Sequence, residues 1–283
     1  VTTPKVKTEH KGDSRFYVDP LAGTTYPGVT SVLNTIPKPF LKPWAAKLVA
    51  EEAVAQNAAV TALIAAGASA AAVDMLKRAP DRATQAAADM GTAAHGYFED
   101  MARGAAIGDL DIAPSHAGVE PFLLHFEDFL DRVQPEFHDL EETVWSDRHR
   151  YAGSFDWTAT IEGECVWGDN KTTRSGIHAE TGLQLAAYRN AEERIAPDGT
   201  RTPNTKGDSA AVLLVRPEGW KLVPVRADDE VFDIFVHLRR VFDYMGTVQH
   251  TIVGDPIAYG PDAAILDVGY RRRKPSTPAR TAA

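Results

Sequence analysis

The reading of this chain turns on residues 153–188: Gly153-Ser154-Phe155-Asp156, then Asp169-Asn170-Lys171, then Gln184-Leu185-Ala186-Ala187-Tyr188. Two carboxylates and a lysine arrive on consecutive strand-like segments, and a helix with a polar i,i+4 pair follows. Alternation along 151–161 puts Ser154, Asp156, Thr158 and Thr160 on one face, and Phe155, Trp157, Ala159 and Ile161 on the other. On 164–172, Asp169 and Lys171 are two apart and project to the same side. With Asp156 opposite them on the neighbouring strand, these groups converge on one small site.

Carboxylate oxygens are hard ligands that suit Mg²⁺ or Mn²⁺, leaving positions for waters and a phosphate oxygen. A cation so held lowers the pKa of a bound water and neutralises phosphate charge. Lys171 then either orients that water or stabilises the transition state. The plainer alternative for Asp169 and Lys171 is a surface ion pair on a strand. Upstream, Gly91, His95 and Glu99 are spaced i, i+4, i+8 and share one helical face. Glycine there admits close approach of a partner backbone, and the imidazole offers a nitrogen ligand that favours Mn²⁺ over an all-oxygen site. The competing reading of His95 is a packing or surface residue. Gln184 and Tyr188 also stand i,i+4, where an amide and a hydroxyl can hydrogen-bond phosphate oxygens and the ring can stack on an unpaired base. Tyr188 fits a core position equally well.

Working outward, residues 14–30 read as two short strands around a turn, followed by a Pro-rich run at 37–43. An alanine-rich helical layer extends to about residue 80, with breaks expected near Gly67 and Pro80. Its scarcity of large apolar groups marks it as peripheral. Helices are expected over 81–101 and 119–133, the second striped by Phe122, Leu123, Phe126, Phe129 and Leu130. Strands follow at 138–146, 151–161 and 164–172, then a helix over 177–194 and a Pro/Gly/Asn/Thr-rich loop at 196–207. Strands at 210–216 and 219–226 and a helix at 229–246 close the pattern. The expected fold class is therefore a mixed α/β (α+β-like) sheet flanked by helices, its central meander presenting polar residues along one edge. The expected division is an N-terminal hairpin and helical region (1–80), a core (81–255) and a C-terminal segment with a basic, disordered tail (256–283).

The chain has 283 residues, 44% of them hydrophobic, enough to bury a substantial core. No run approaches the ~18–20 apolar residues of a membrane span, and no signal-peptide pattern is read at the N-terminus; a cytoplasmic location in a bacterial host cell is expected. The single cysteine, Cys165, excludes an internal disulfide and any four-cysteine zinc or iron–sulfur site. A net charge of −9 opposes tight coating of long DNA. It leaves room for local basic strips such as Lys38/Lys42/Lys47, Arg148/Arg150 and Lys171/Arg174, each of which also reads as ordinary solvated surface.

The ordered set Gly91-x-x-x-His95-x-x-x-Glu99, Gly153-x-x-Asp156, Asp169-x-Lys171 and Gln184-x-x-x-Tyr188 resembles the PD-(D/E)XK nuclease superfamily. The likeness is to its RecB-type branch, which includes CRISPR-associated and phage exonucleases. It spans about residues 91–188, and Tyr26-Pro27-Gly28-Val29-Thr30-Ser31-Val32-Leu33 also looks like the amino-terminal region of phage members. The resemblance implies a restriction-endonuclease-like core, with His95, Asp156, Asp169 and the Asn170 carbonyl as metal ligands and Asp156, Asp169 and Lys171 as the catalytic set. It implies DNA contacts by Gln184 and Tyr188, joined by Arg174 from the neighbouring basic strip. Glu99 and either Glu141 or Glu142, with Glu142 preferred, would act behind the ligands. Many relatives hold an iron–sulfur cluster on four cysteines; with Cys165 alone, none is expected here. The implied activity is a Mg²⁺- or Mn²⁺-dependent DNA exonuclease acting on linear single- or double-stranded ends, with a phage recombination protein as a partner. The alternatives are a structure-specific or single-strand endonuclease, and a DNA-binding protein on a nuclease scaffold.

Overall fold

The computed structural model describes residues 4–254, so the expected basic tail at 256–283 lies outside the described residues. Three short strands, β1 (Thr8–Lys11), β2 (Ser14–Val18) and β3 (Thr25–Pro27), form a small antiparallel sheet of their own. Five helices follow: α1 (Val29–Leu33), α2 (Leu41–Ala55), α3 (Asn57–Ala65), α4 (Ser69–Lys77) and α5 (Ala79–Ala102). After α6 (Glu120–Val133) come the meander strands β4 (Glu136–Ser146), β5 (Tyr151–Ile161) and β6 (Glu164–Lys171). The chain then forms α7 (Glu180–Asn190), β7 (Glu193–Ile195), β8 (Arg201–Pro203), β9 (Ser209–Arg216), β10 (Gly219–Pro224) and α8 (Asp229–Gly246). Seven strands make one mixed sheet in the order β10-β9-β6-β5-β4-β7-β8, with β6 and β9 parallel and the other pairs antiparallel.

The expected mixed α/β class holds, and the meander β4-β5-β6 lies at the centre of the sheet. Strands β5 and β6 are joined through Glu162 and Gly163, both with positive φ (50° and 87°). That is the backbone of the two-residue hairpin turn whose twist suits paired strands. This tight turn sets the register Ile161↔Glu164 through Trp157↔Gly168.

Each face of the sheet is covered. On one side Tyr151, Phe155, Trp167 and Val212 pack with Leu185 and Tyr188 of α7 and Phe235 of α8. On the other, Trp157, Ala159, Val166, Ala211, Leu213 and Val215 pack with Phe98 of α5 and Phe122, Phe126 and Phe129 of α6. Phe155 and Trp157 thus sit in opposite cores, which corrects the simple alternation expected along β5. The Trp157 indole lies over Gly168, where an added Cβ would come within 2.0 Å of the ring, and its Nε1 donates to Asn170 Oδ1 at 2.9 Å.

Helix α7 is shorter than expected, because residues 193–195 are drawn into pairing with β4 at Val144↔Arg194 and Trp145↔Glu193. Helices α2 and α3 bury no side chain, as their composition implies; the layer breaks around Gly67 as expected and additionally at Gln56. The break expected near Pro80 falls at Arg78, between α4 and α5, and Pro80 sits in the first turn of α5, where its missing N–H costs little. Among the described residues no single helix is long and apolar enough to cross a membrane, and α2 with α3 reaches that length only as a pair bent by 77°.

Gly168→Ala should destabilise the protein by about 1–3 kcal/mol through overpacking against Trp157. Gly96→Ala, on an exposed turn of α5 with nothing within 4 Å of the new methyl, should stabilise it by roughly 0.5–1 kcal/mol. Urea unfolding of the two variants measures both, and equal midpoints would contradict the packing described.

Candidate metal centre

The hairpin register decides where the acids meet. One step beyond Trp157↔Gly168, Asp156 and Asp169 would pair directly, and like charges placed across adjacent strands repel. Pairing of β5 with β6 stops there. From this point β6 continues against β9 (Asp169↔Val212 to Lys171↔Leu214), and β5 against β4, with one further bridge from Ala152 to Gly28. The Asp156 carboxylate fills the opening and accepts the Asn170 amide at 2.6 Å. On the far side of β5, the pairs Leu140↔Trp157 and Glu142↔Phe155 bracket Glu141, which therefore stands across from Asp156. Glu141, Asp156 and Asp169 form one row over three adjacent central strands, all three buried.

Helix α5 brings a nitrogen to this row. Its inner face is Gly91, Ala94, His95, Phe98 and Met101, and Phe98 stacks on Phe126 with ring centres 4.3 Å apart. That contact fixes His95, one turn earlier, with Nδ1 3.5 Å from Asp156 Oδ2. Gly91 passes over Thr172, where a methyl would sit 3.3 Å from the hydroxyl oxygen. His95, Glu141 and Asp156 each offer a ligand atom, and these atoms lie within 4.8 Å of one another.

Beside them, the Lys171 ammonium is 2.5 Å from Asp169 Oδ2. Gln184 of α7 donates to Asp169 Oδ1 at 2.9 Å and to the Tyr188 hydroxyl at 3.2 Å. All of these groups except Glu141 line a cavity of about 330 Å³, whose remaining wall includes Arg15 and Tyr17 from β2. The Tyr17 hydroxyl accepts the Ser154 amide at 3.0 Å, tying the small N-terminal sheet to β5. At Gly153 the strand passes so close to Tyr188 that a Cβ would fall 2.5 Å from its ring.

The electrostatics are those of a site that could hold a cation. Burial holds the His95 imidazole neutral, pushing its pKa down to about 3, with Lys171 acting in the same direction; a neutral imidazole is the form that ligates metal. Burial, with Asp156 and Glu99 nearby, pushes the Glu141 carboxyl up to about 9. Burial also raises Asp169, against the lowering pull of Lys171. Burial alone would lower Lys171, but Asp169 and Asp156 more than offset it and keep the ammonium charged. His95 Nδ1 and Glu141 Oε2 are buried without a hydrogen-bond partner among the described residues, while Asp169 Oδ2 is held by the Lys171 ammonium. Buried polar atoms are seldom left without a partner, and these two belong to the group that could hold a metal ion. A hard divalent cation, which takes carboxylate oxygens and tolerates imidazole, fits this donor set.

The structure rearranges several expected roles. Glu141, not Glu142, faces the site: Glu142 points away, 3.5 Å from Arg194. Glu141 has φ +54°, a local twist that strand parity does not foresee. Glu99 lies outside the cavity and acts as a clamp, accepting from Arg103 at 2.7 Å and Lys5 at 3.4 Å. Arg174 lines a separate surface recess with Arg216 and Lys221 rather than the metal cavity. Tyr188 is 2% exposed and packed in the core, a burial that leaves its ring little face for base stacking. The Asn170 side chain is engaged by Trp157, while its backbone lies against the His95 ring. Tyr17, which sequence reasoning passed over, is placed by three-dimensional folding across more than a hundred residues and left no local signal.

No family model and no curated protein matches the chain. Among solved structures, one titled "Crystal structure of SSO0001" aligns over 55% of this chain and 72% of its own, at 11% identity and a TM-score of 0.29. A likeness that slight carries no argument about fold or function.

A carboxyl raised above its unfolded value, ~4.3 for Glu, supports folding fully below that value. It loses that support as pH climbs through about 9. In EDTA, thermal stability should therefore fall as pH rises across this window, Asp169 acting in the same direction. Glu141→Gln should flatten the fall, and Mn²⁺ should restore stability to the native protein by binding the folded state alone. Melting temperatures at stepped pH measure this; a Glu141→Gln curve parallel to the native one would contradict it.

Proposed function

We propose that this chain is a divalent-metal-dependent deoxyribonuclease with a PD-(D/E)XK-type core, hydrolysing phosphodiester bonds from linear DNA ends. The observation that supports the reading best is the buried row Glu141–Asp156–Asp169 with His95 above it and the Lys171 ammonium beside it, all on elements of one cavity wall or its floor. His95, Glu141 and Asp156 would hold the ion, with Asp169 and the Asn170 backbone adjoining. Mg²⁺ or Mn²⁺ bound there supplies a Lewis acid for the phosphate and lowers the pKa of a water.

The chain's own residues do the rest. Lys171 keeps its charge through Asp169 and presents a fixed ammonium to the scissile phosphate, where negative charge grows in the transition state. Gln184 locks Asp169 by one oxygen, leaving the other for Lys171, and Tyr188 steadies Gln184 in turn. The net charge of −9 limits non-specific adhesion to long DNA and suits an enzyme that engages ends.

Lys171→Ala and Asp169→Ala should each slow cleavage by about 10²–10³ or more. Glu141→Ala should do the same, whereas Glu142→Ala should cleave like the native protein. End-labelled linear DNA compared with covalently closed circles, in Mg²⁺ and Mn²⁺, measures activity and end dependence together. Cleavage of circles as fast as linear DNA would replace the exonuclease with an endonuclease, and binding without cleavage in either metal would leave a DNA-binding scaffold.

A further inference from the structure

Between α1 and α2 the chain runs Pro37-Lys38-Pro39-Phe40-Leu41-Lys42-Pro43-Trp44, interleaving cations with large apolar groups. The three apolar side chains are exposed: Phe40 at 53%, Leu41 at 43% and Trp44 at 38%. Phe40 and Trp44 are four apart at the start of α2 and share a face. The Phe40 ring lies parallel to the His178 imidazole, 2° between planes and 6.2 Å between centres. Lys38 contacts Glu180 at 3.4 Å, and Lys42 has no ion pair among the described residues.

This segment borders a second recess, about 260 Å³, lined by Lys38 and His178 together with Thr30, Lys171, Thr173 and Gln184. The last four also line the central cavity, so the two spaces share a wall. An aromatic ring held parallel to a second ring, with Lys38 and Lys42 beside it and the proposed phosphate site next door, is the chemistry of single-strand binding. Bases stack on aromatic faces while basic groups follow the backbone.

We propose that Phe40 and His178 form a shelf for an unpaired nucleobase of the strand whose phosphate enters the metal cavity. The proposal rests on the nuclease reading and deepens it by giving the enzyme a single-stranded or frayed substrate segment at its site. The base lies on the Phe40–His178 side, and Lys38 and Lys42 face the backbone leading to it. Lys171 stands at the junction, touching both spaces.

The test uses the full chain carrying Asp169→Asn with Mg²⁺, so that DNA is retained, and short single strands with 2-aminopurine at successive positions from one end. One or two positions should show strong fluorescence quenching on binding. Phe40→Ala should abolish that quenching and weaken single-strand affinity about tenfold, while Phe40→Tyr should preserve both. Because Phe40 is exposed, its replacement leaves the core intact. Quenching that survives Phe40→Ala overturns the shelf, and if the protein without Asp169→Asn cuts the same strand, the nuclease reading stands without it. Failure of that protein to bind or cut any strand in Mg²⁺ or Mn²⁺ removes the nuclease reading and the shelf with it. A Phe40→Ala variant that changes the oligomeric mass but not the DNA signal makes the segment a contact between copies of the chain and also overturns the proposal.

Discussion

Two carboxylates cannot comfortably face one another across adjacent strands, and the Glu162-Gly163 hairpin would bring Asp156 and Asp169 to that position. The sheet answers by parting: β5 stays with β4, β6 goes on with β9, and the Asp156 carboxylate caps the Asn170 amide in the opening. Glu141 lengthens the row from the other side. Three buried acids in line carry an electrostatic cost that protonation or a cation must offset, and the raised Glu141 carboxyl records it. Site and fold are thus one problem. The central strands cannot hold this row as ordinary sheet, and the deviation makes the cavity.

The surrounding elements keep the opening from closing. Phenylalanine stacking between α5 and α6 fixes the height of His95, and Arg103 and Lys5 clamp Glu99 and reach the Leu140 carbonyl beside Glu141. On the opposite side α7 contributes Gln184 and Tyr188 to Asp169, and its small residues let it lie close to the sheet. Gly153 allows Tyr188 to pack hard against β5, and the Tyr17 hydroxyl binds the N-terminal sheet to the same strand. Each contact restricts a side chain that would otherwise relax toward water, which keeps His95 Nδ1 and Glu141 Oε2 close to Asp156.

Much of this was legible in the residues themselves. The phenylalanine stripe of α6, the Glu162-Gly163 turn region and the two-residue spacing of Asp169 and Lys171 are local patterns, and local patterns survive folding. The Gly91/His95/Glu99 face was legible in part: helix periodicity placed Gly91 and His95 on the inner face and left Glu99 at its rim. What was illegible depended on register and twist. Choosing Glu141 over Glu142 requires knowing that β4 bulges between Phe137 and Asp139 and that Glu141 takes a positive φ. The split of Phe155 and Trp157 between two cores follows from the parting of the strands, which strict alternation does not anticipate. Strands β7 and β8 are three residues each, too short to show a period; β7 pairs with the edge of β4, and β8 in turn with β7.

Anomalous scattering from crystals of the protein grown or soaked with Mn²⁺ would test the central claim most directly. The account predicts an anomalous peak at coordination distance from His95, Glu141 and Asp156, with Asp169 and Lys171 alongside and Glu142 turned toward Arg194. A peak elsewhere, or a fully occupied water network satisfying His95, Glu141 and Asp169 with no metal at millimolar Mn²⁺, would contradict it.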